Sequence, residues 1–215
     1  MMTNLFSSFD PCTGIMSLNW LSTFILLIIL PYNIWLIQNK LMILLNKIYF
    51  LIINELKSNL NNLNTSIMMI SIMLMILINN LMGLIPYIFT SSSHLIFSLS
   101  LALPLWMAFM MFGLLKKTNS TLSHMLPYGT PILLMPFMVI IETISNLIRP
   151  GSLSVRLSAN MIAGHLIMSL LGNMSKMMIP MMMVIFIMLT MFELAVSIIQ
   201  SYVFMTLTSL YYKEV

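Results

Sequence analysis

Residues 181 to 212 run for 32 positions without a proline, a glycine or a basic side chain. Nothing there interrupts a helix, and as a helix the stretch would be about 48 Å long. A hydrocarbon core is only about 30 Å thick, so such a helix must cross at a tilt of roughly 50° or overhang into water. Residues 132 to 172 raise the same difficulty. These 41 positions are mainly apolar but carry Glu142, Arg149, Pro150-Gly151, Arg156, Asn160 and His165, and they are too long for one upright helix. A strongly tilted or bent helix accounts for them better than two tidy spans. Together the two runs predict a C-terminal hairpin of two long, strongly tilted membrane helices.

Composition closes off the soluble alternative. Hydrophobic residues make up 60% of the 215 positions and charged residues 7%, against about 25% charged in a soluble domain. No soluble fold hides that much apolar surface, and the mean hydropathy of +1.03 makes the bilayer the solvent. The nine Lys and Arg against five Asp and Glu are spread too thinly to bind nucleic acid. One cysteine, Cys12, excludes an internal disulfide and a cysteine-rich metal site. The 26 methionines are scattered, which suits apolar filling and not a metal box.

The remaining chain reads as further spans and connections. Residues 1 to 17 lack a basic region ahead of the apolar segment and include Asp10, so they are expected to be a short mature tail. Residues 18 to 38 form a first, upright span with Trp20 and Trp35 near its ends, where aromatic belts form. Residues 39 to 64 mix apolar positions with Lys40, Lys47, Glu55 and Lys57, a pattern for a surface-lying amphipathic segment or a compact loop. Spans are expected at 66 to 89, ending at Pro86, and at 95 to 115, with Pro104 inside. Residues 118 to 131 are polar and rich in helix breakers, so they connect. Basic residues favour the inner side, which puts the loop at 39 to 64 and Lys116-Lys117 together and the N-terminus opposite them. No repeat of 20 to 50 residues is evident. The expected fold is an all-α, polytopic, single membrane domain over residues 1–215.

Ionisable groups within spans cost roughly 2.5–3.5 kcal/mol each on insertion scales, so they line a pathway or pair inside a bundle. Glu142, Arg156, His165 and Glu193 are such groups. On one helix Arg156 and Asn160 share a face, while His165, nine residues on, points about 180° away. Glu193, Ser197 and Gln200 form a polar stripe on the last helix, suited to holding water. Glu142 lies about 21 Å from Arg156 along a continuous helix, too far for a salt bridge. The inventory is one permanent guanidinium, carboxylates and an imidazole that exchange protons, and amides that order water. It suits a proton path divided by a fixed positive charge. The plainer readings are a hydrogen-bonded structural His165, Glu193 and Gln200 as interhelical glue, and Arg149 snorkelling to the headgroups. Arg156 resists a plain reading, because no acidic residue precedes it within two turns or follows it before Glu193. Its countercharge is expected from another subunit.

SVRLSANMIAGH at 154 to 165, PFMVIIETISNLIRPGSL upstream of it, and FELAVSIIQSYVFMTLTSLYY at 192 to 212 carry a resemblance, with lesser matches in NNLMGLIPYIFT and SLALPLW. The chain resembles the subunit a family of rotary ATP synthases in its animal mitochondrial form. The resemblance implies a multi-pass protein of the mitochondrial inner membrane, its N-terminus toward the intermembrane space and its C-terminus toward the matrix. It implies a non-catalytic stator without cofactor or metal, set against a rotating ring of c subunits that each bear a carboxylate. Other membrane-sector and peripheral-stalk subunits are implied as partners. Arg156 matches the essential arginine, which attracts the ring carboxylate, favours its ionised form and blocks a direct proton shunt. An opposite charge lowers a carboxylate pKa by about 1–3, which supplies the physical reason. Asn160, His165, Glu193 and Gln200 match the half-channel from the intermembrane space, with Ser197 as a supporting polar group. Glu142 matches the half-channel toward the matrix. The His165 and Glu193 positions interchange acid and histidine within the family, so either is a candidate for the main proton acceptor.

Two other classes compete on the residues alone. A haem-bearing redox subunit needs two placed histidines, and only His94, His124 and His165 exist, the first two at or near loops. A Soret band in the purified chain would favour it. A secondary transporter would show an inverted repeat, and no second half resembles residues 132 to 212.

Overall fold

The computed structural model describes residues 5–12, 16–24, 39–60, 63–126, 129–173 and 179–214. Among the described residues six helices are α-helical: α1 Lys40–Asn59, α2 Leu63–Gly83, α3 Leu95–Lys116, α4 Thr118–His124, α5 Met135–Asn173 and α6 Ile179–Glu214. Short 3-10 segments lie at Leu5–Phe9, Leu18–Phe24, Ser91–Ser93 and Ile132–Leu134. Four stretches, Asn64–Gly83, Leu95–Lys116, Ile132–Gly172 and Met181–Lys213, are long and apolar enough to cross a membrane. The protein is an all-α, multi-pass membrane protein.

Several expected boundaries shift, each for a local reason. Of the first expected span, Leu18–Phe24 is a 3-10 segment, and positions 25–38, Trp35 included, lie outside the described residues. The segment at 39 to 64 is not a loop. Its Lys40–Asn59 helix leaves one half exposed and buries Leu56, with Leu60 just beyond it, against Met69, Ile70, Met73 and Met205. The next helix stops at Gly83, short of the expected 89. The chain there makes a turn over Ile85 to Ile88, closed by the Ile88 amide donating to the Ile85 carbonyl at 3.4 Å. Pro86 presets the first central position, and Tyr87 takes the second at φ +71°, which a type II turn demands. Pro104 is absorbed inside α3 as expected. The connection at 118 to 131 contains the short α4.

The long polar-interrupted run is one continuous helix of 39 residues, with Pro150 inside it. Proline removes the bond that would close on Asn146, so that carbonyl is released from the helical ladder. At 1.5 Å per residue α5 is about 58 Å long and α6 about 54 Å, both well beyond a 30 Å core. Packing does not make them a self-contained pair. α6 rests chiefly on α2, α5 chiefly on α3, and the contact between α5 and α6 is thinner. Ile76, Ala102, Leu105, Leu153, Leu157 and Phe204 form the shared core of α2, α3, α5 and α6. In lipid, apolar side chains gain little by leaving the solvent, so small residues that allow close approach matter more. Ser154 and Ser158 on α5, and Ser197, Ser201 and Ser209 on α6, are all buried in these contacts.

Candidate functional site

The site is built on the two long helices. Along α5, Leu153, Leu157 and Met161 are buried at intervals of four, and His165 continues that stripe. Val155, Arg156, Ala159, Asn160 and Ala163 stand on the exposed side. α6 likewise buries Glu193, Ser197, Ser201 and Met205 at intervals of four and exposes Leu194, Ala195, Ile198 and Ile199. The two helices therefore present an outer face of aliphatic and alanine side chains that carries Arg156. Among the described residues Arg156 has no ion pair and no hydrogen bond. A guanidinium on a lipid-compatible face is costly when alone.

Toward the C-terminal end of α5, nine residues or about 14 Å beyond Arg156, the helices hold a second polar group. Glu193 is buried between α5 and α6, and both of its carboxylate oxygens lack a hydrogen-bond partner among the described residues. The carboxylate lies directly over Gly164. A Cβ at that position would stand 2.6 Å from Glu193 Oε1 and 2.8 Å from Cδ, so any larger residue would displace the carboxylate. The neighbouring His165 has a buried Nε2 without a protein partner. Its ring meets the Phe9 ring edge-on, 6.1 Å between centroids. Buried unpaired polar atoms are rare and costly. Gln200 is half-buried, two turns below Glu193 on the same face.

Ser197, expected beside them as a supporting polar group, is buried on the same face of α6. Its hydroxyl donates to the Leu194 carbonyl at 2.8 Å, as Ser201 does to Ile198 at 2.8 Å and Ser209 to Thr206 at 2.8 Å. Each of these hydroxyls donates its hydrogen within its own helix.

A third polar group lies at the other end of α5. Glu142 Oε1 and Arg149 Nη2 are 3.9 Å apart, and the Arg149 guanidinium sits 5.2 Å from the centre of the Tyr211 ring on α6. Arg149 does not simply snorkel; it pairs with the carboxylate and stacks on the aromatic ring. Both side chains are partly open to solvent, at 26% and 38% exposure, so the pair contributes little stability. They border a cavity of about 310 Å³ that is also lined by Trp106, His124, Asn146 and Lys213. Asn146 is the residue whose carbonyl Pro150 sets free.

Sequence reasoning missed Arg149 as the partner of Glu142, although a separation of seven places the two on one helix face. It missed Gly164 as the seat of Glu193, a contact that exists only where α5 meets α6. It also passed over buried polar groups around the α2–α3 turn. Asn80, Ser92 and Ser98 are at 0% exposure, and neither end of the Asn80 amide has a partner. Two adjacent asparagines inside an apolar span were the available signal.

Comparison with known proteins identifies the family. The family model described as ATP synthase A chain matches residues 15–213. Over the full length of both chains the protein is 52% identical to ATP synthase subunit a of Aedes albopictus, 51% to that of Drosophila melanogaster and 50% to that of Locusta migratoria. A family match over nearly the whole chain, with relatives of half-identical sequence along their entire length, establishes that this chain belongs to the ATP synthase A chain family.

Proposed function

We propose that the chain is the proton-conducting stator subunit of an ATP synthase membrane sector in the mitochondrial inner membrane. Its insect relatives bear the name ATP synthase subunit a, and other subunits of that complex are its partners. The observation that carries the reading is the position of Arg156. It stands without a partner among the described residues on an exposed apolar face, with one polar site on either side of it along α5. The outer face of α5 and α6 meets a ring of c subunits, and the ring carboxylate is the missing anion.

Protons enter from the intermembrane space through Asn160, His165, Glu193 and Gln200. Glu193 is buried without a hydrogen-bond partner, so it takes and releases a proton without breaking a protein bond. The proton neutralises a ring carboxylate, which then leaves the arginine and travels through lipid. On arriving at the other side the carboxylate releases its proton toward the cavity of Glu142 and the matrix. Arg156 makes the ionised carboxylate favourable as it passes and repels a proton that would cross directly. No covalent step occurs in this chain; the work is done by rotation. The N-terminus faces the intermembrane space and the C-terminus the matrix, in keeping with Lys57, Lys116 and Lys213 in the last turns of their helices.

Replacing Arg156 by Ala in the assembled complex tests the reading. Proton-driven ATP synthesis should vanish while ATP hydrolysis by the catalytic sector persists. Normal coupling in that variant would refute it.

A further inference from the structure

The N-terminal segment has a role in the function proposed above. Leu5–Phe9 folds back onto α5. Phe9 is half-buried, and its ring meets the His165 imidazole edge-on at 6.1 Å. The Phe9 carbonyl is held by His94 Nε2 at 2.9 Å. A carbonyl only accepts, so Nε2 of His94 carries the hydrogen. His94 is itself fixed by rings, with Phe89 at 5.2 Å and Trp20 at 5.3 Å between centroids. The backbone after Phe9 is held by Asn19 Nδ2, which donates to the Asp10 carbonyl at 3.2 Å, and Ser22 Oγ ties the same 3-10 segment to the Phe89 carbonyl at 3.3 Å. Residues from three distant parts of the chain thus fix the Phe9 backbone, and its ring lies against a histidine whose Nε2 is buried and unpaired among the described residues.

We propose that Phe9 is a cover over the His165 end of the proton path, and that His94 is the positioning residue that holds it there. An apolar ring edge leaves His165 no hydrogen-bond partner on that side. Protons then reach the imidazole from its Glu193 side, and bulk water from the N-terminal side is kept off. This rests on the reading of His165 as part of the hydrated path.

The test is chemical access to position 165 in the assembled complex, in membranes whose N-terminal face is outward. Cys12 is exposed, so it is first changed to Ser, and His165→Cys supplies the target. A membrane-impermeant maleimide is added and its incorporation into this chain is timed. Phe9→Ala should speed labelling severalfold, because a methyl no longer covers position 165. Phe9→Leu should keep it slow. His94→Leu should behave as Phe9→Ala, and His94→Gln, which retains an N–H donor, should restore slow labelling. In case the cysteine variant does not assemble, diethylpyrocarbonate modification of the native His165, read by mass, should follow the same order. Equal rates for Phe, Leu and Ala at position 9 would overturn the cover while leaving the hydrated path standing. Absence of labelling at 165 in every variant, with Cys12 of the unaltered chain still reactive, would overturn both.

Discussion

The contact of Gly164 with Glu193 gives a perturbation whose size can be worked out. An alanine Cβ would lie 2.6 Å from Glu193 Oε1, whereas ordinary van der Waals contact begins at 3.4 Å, so the carboxylate must move by 0.8 Å (3.4 − 2.6). Stability is a poor reporter of this change. Ala in place of Gly inside a helix gains about 0.5–1 kcal/mol, and a glutamate forced off its rotamer loses about 0.5–1.5 kcal/mol. The two nearly cancel, and the assembled complex should melt within about 1 kcal/mol of the parent. Function should not cancel, because misplacing a reacting group by about 1 Å can slow a reaction by roughly 100-fold. Proton-driven ATP synthesis in membrane vesicles, normalised to assembled complex, should fall between about tenfold and 100-fold in Gly164→Ala. Adding Glu193→Asp, which withdraws the carboxylate by one methylene, should recover part of the loss. Gly172→Ala, where a Cβ meets nothing within 4 Å, is the control and should synthesise at the parent rate. Full activity in Gly164→Ala, or a loss that merely tracks the amount of assembled complex, would refute the placement of Glu193 in the path.

Other substitutions separate packing from conduction. In a double-mutant cycle of Glu142→Gln and Arg149→Gln, the coupling energy should stay below about 1 kcal/mol, since the pair is long and partly solvated. Glu142→Gln should nevertheless slow synthesis more than Arg149→Gln, and a reversed order would assign the conducting role to the arginine. Ile76→Ala removes a side chain at 0% exposure from the contact of four helices and should cost about 2–5 kcal/mol in thermal unfolding of the complex. A cost below 1 kcal/mol would contradict that core. Ser197→Ala should conduct normally, because the hydroxyl is bonded to its own helix, whereas Ser197→Leu should disturb the seat of α6. Lost conduction in Ser197→Ala would return its hydroxyl to the water path.

Much of this protein is legible from the chain alone, because span length and hydropathy are properties of a contiguous segment. The runs at 95 to 115, 132 to 172 and 181 to 212 emerge as α3, α5 and α6 within a few residues. Arg156 stands out for an equally local reason: no acid is near it in sequence, and none pairs with it among the described residues. Turn chemistry was harder to read. Pro86 suggested the end of a span, but the helix stops at Gly83 so that Pro86 and Tyr87 can form a turn.

What tertiary structure decided is which polar groups face one another. Periodicity assigns a residue to a face of its own helix, but the neighbour across that face depends on how two helices cross. The sequence therefore determined a multi-pass helical chain with a lone arginine and a handful of protonatable groups inside its spans. Only the packed helices seat the Glu193 carboxylate on Gly164, stack Arg149 on Tyr211 and lay Phe9 against His165.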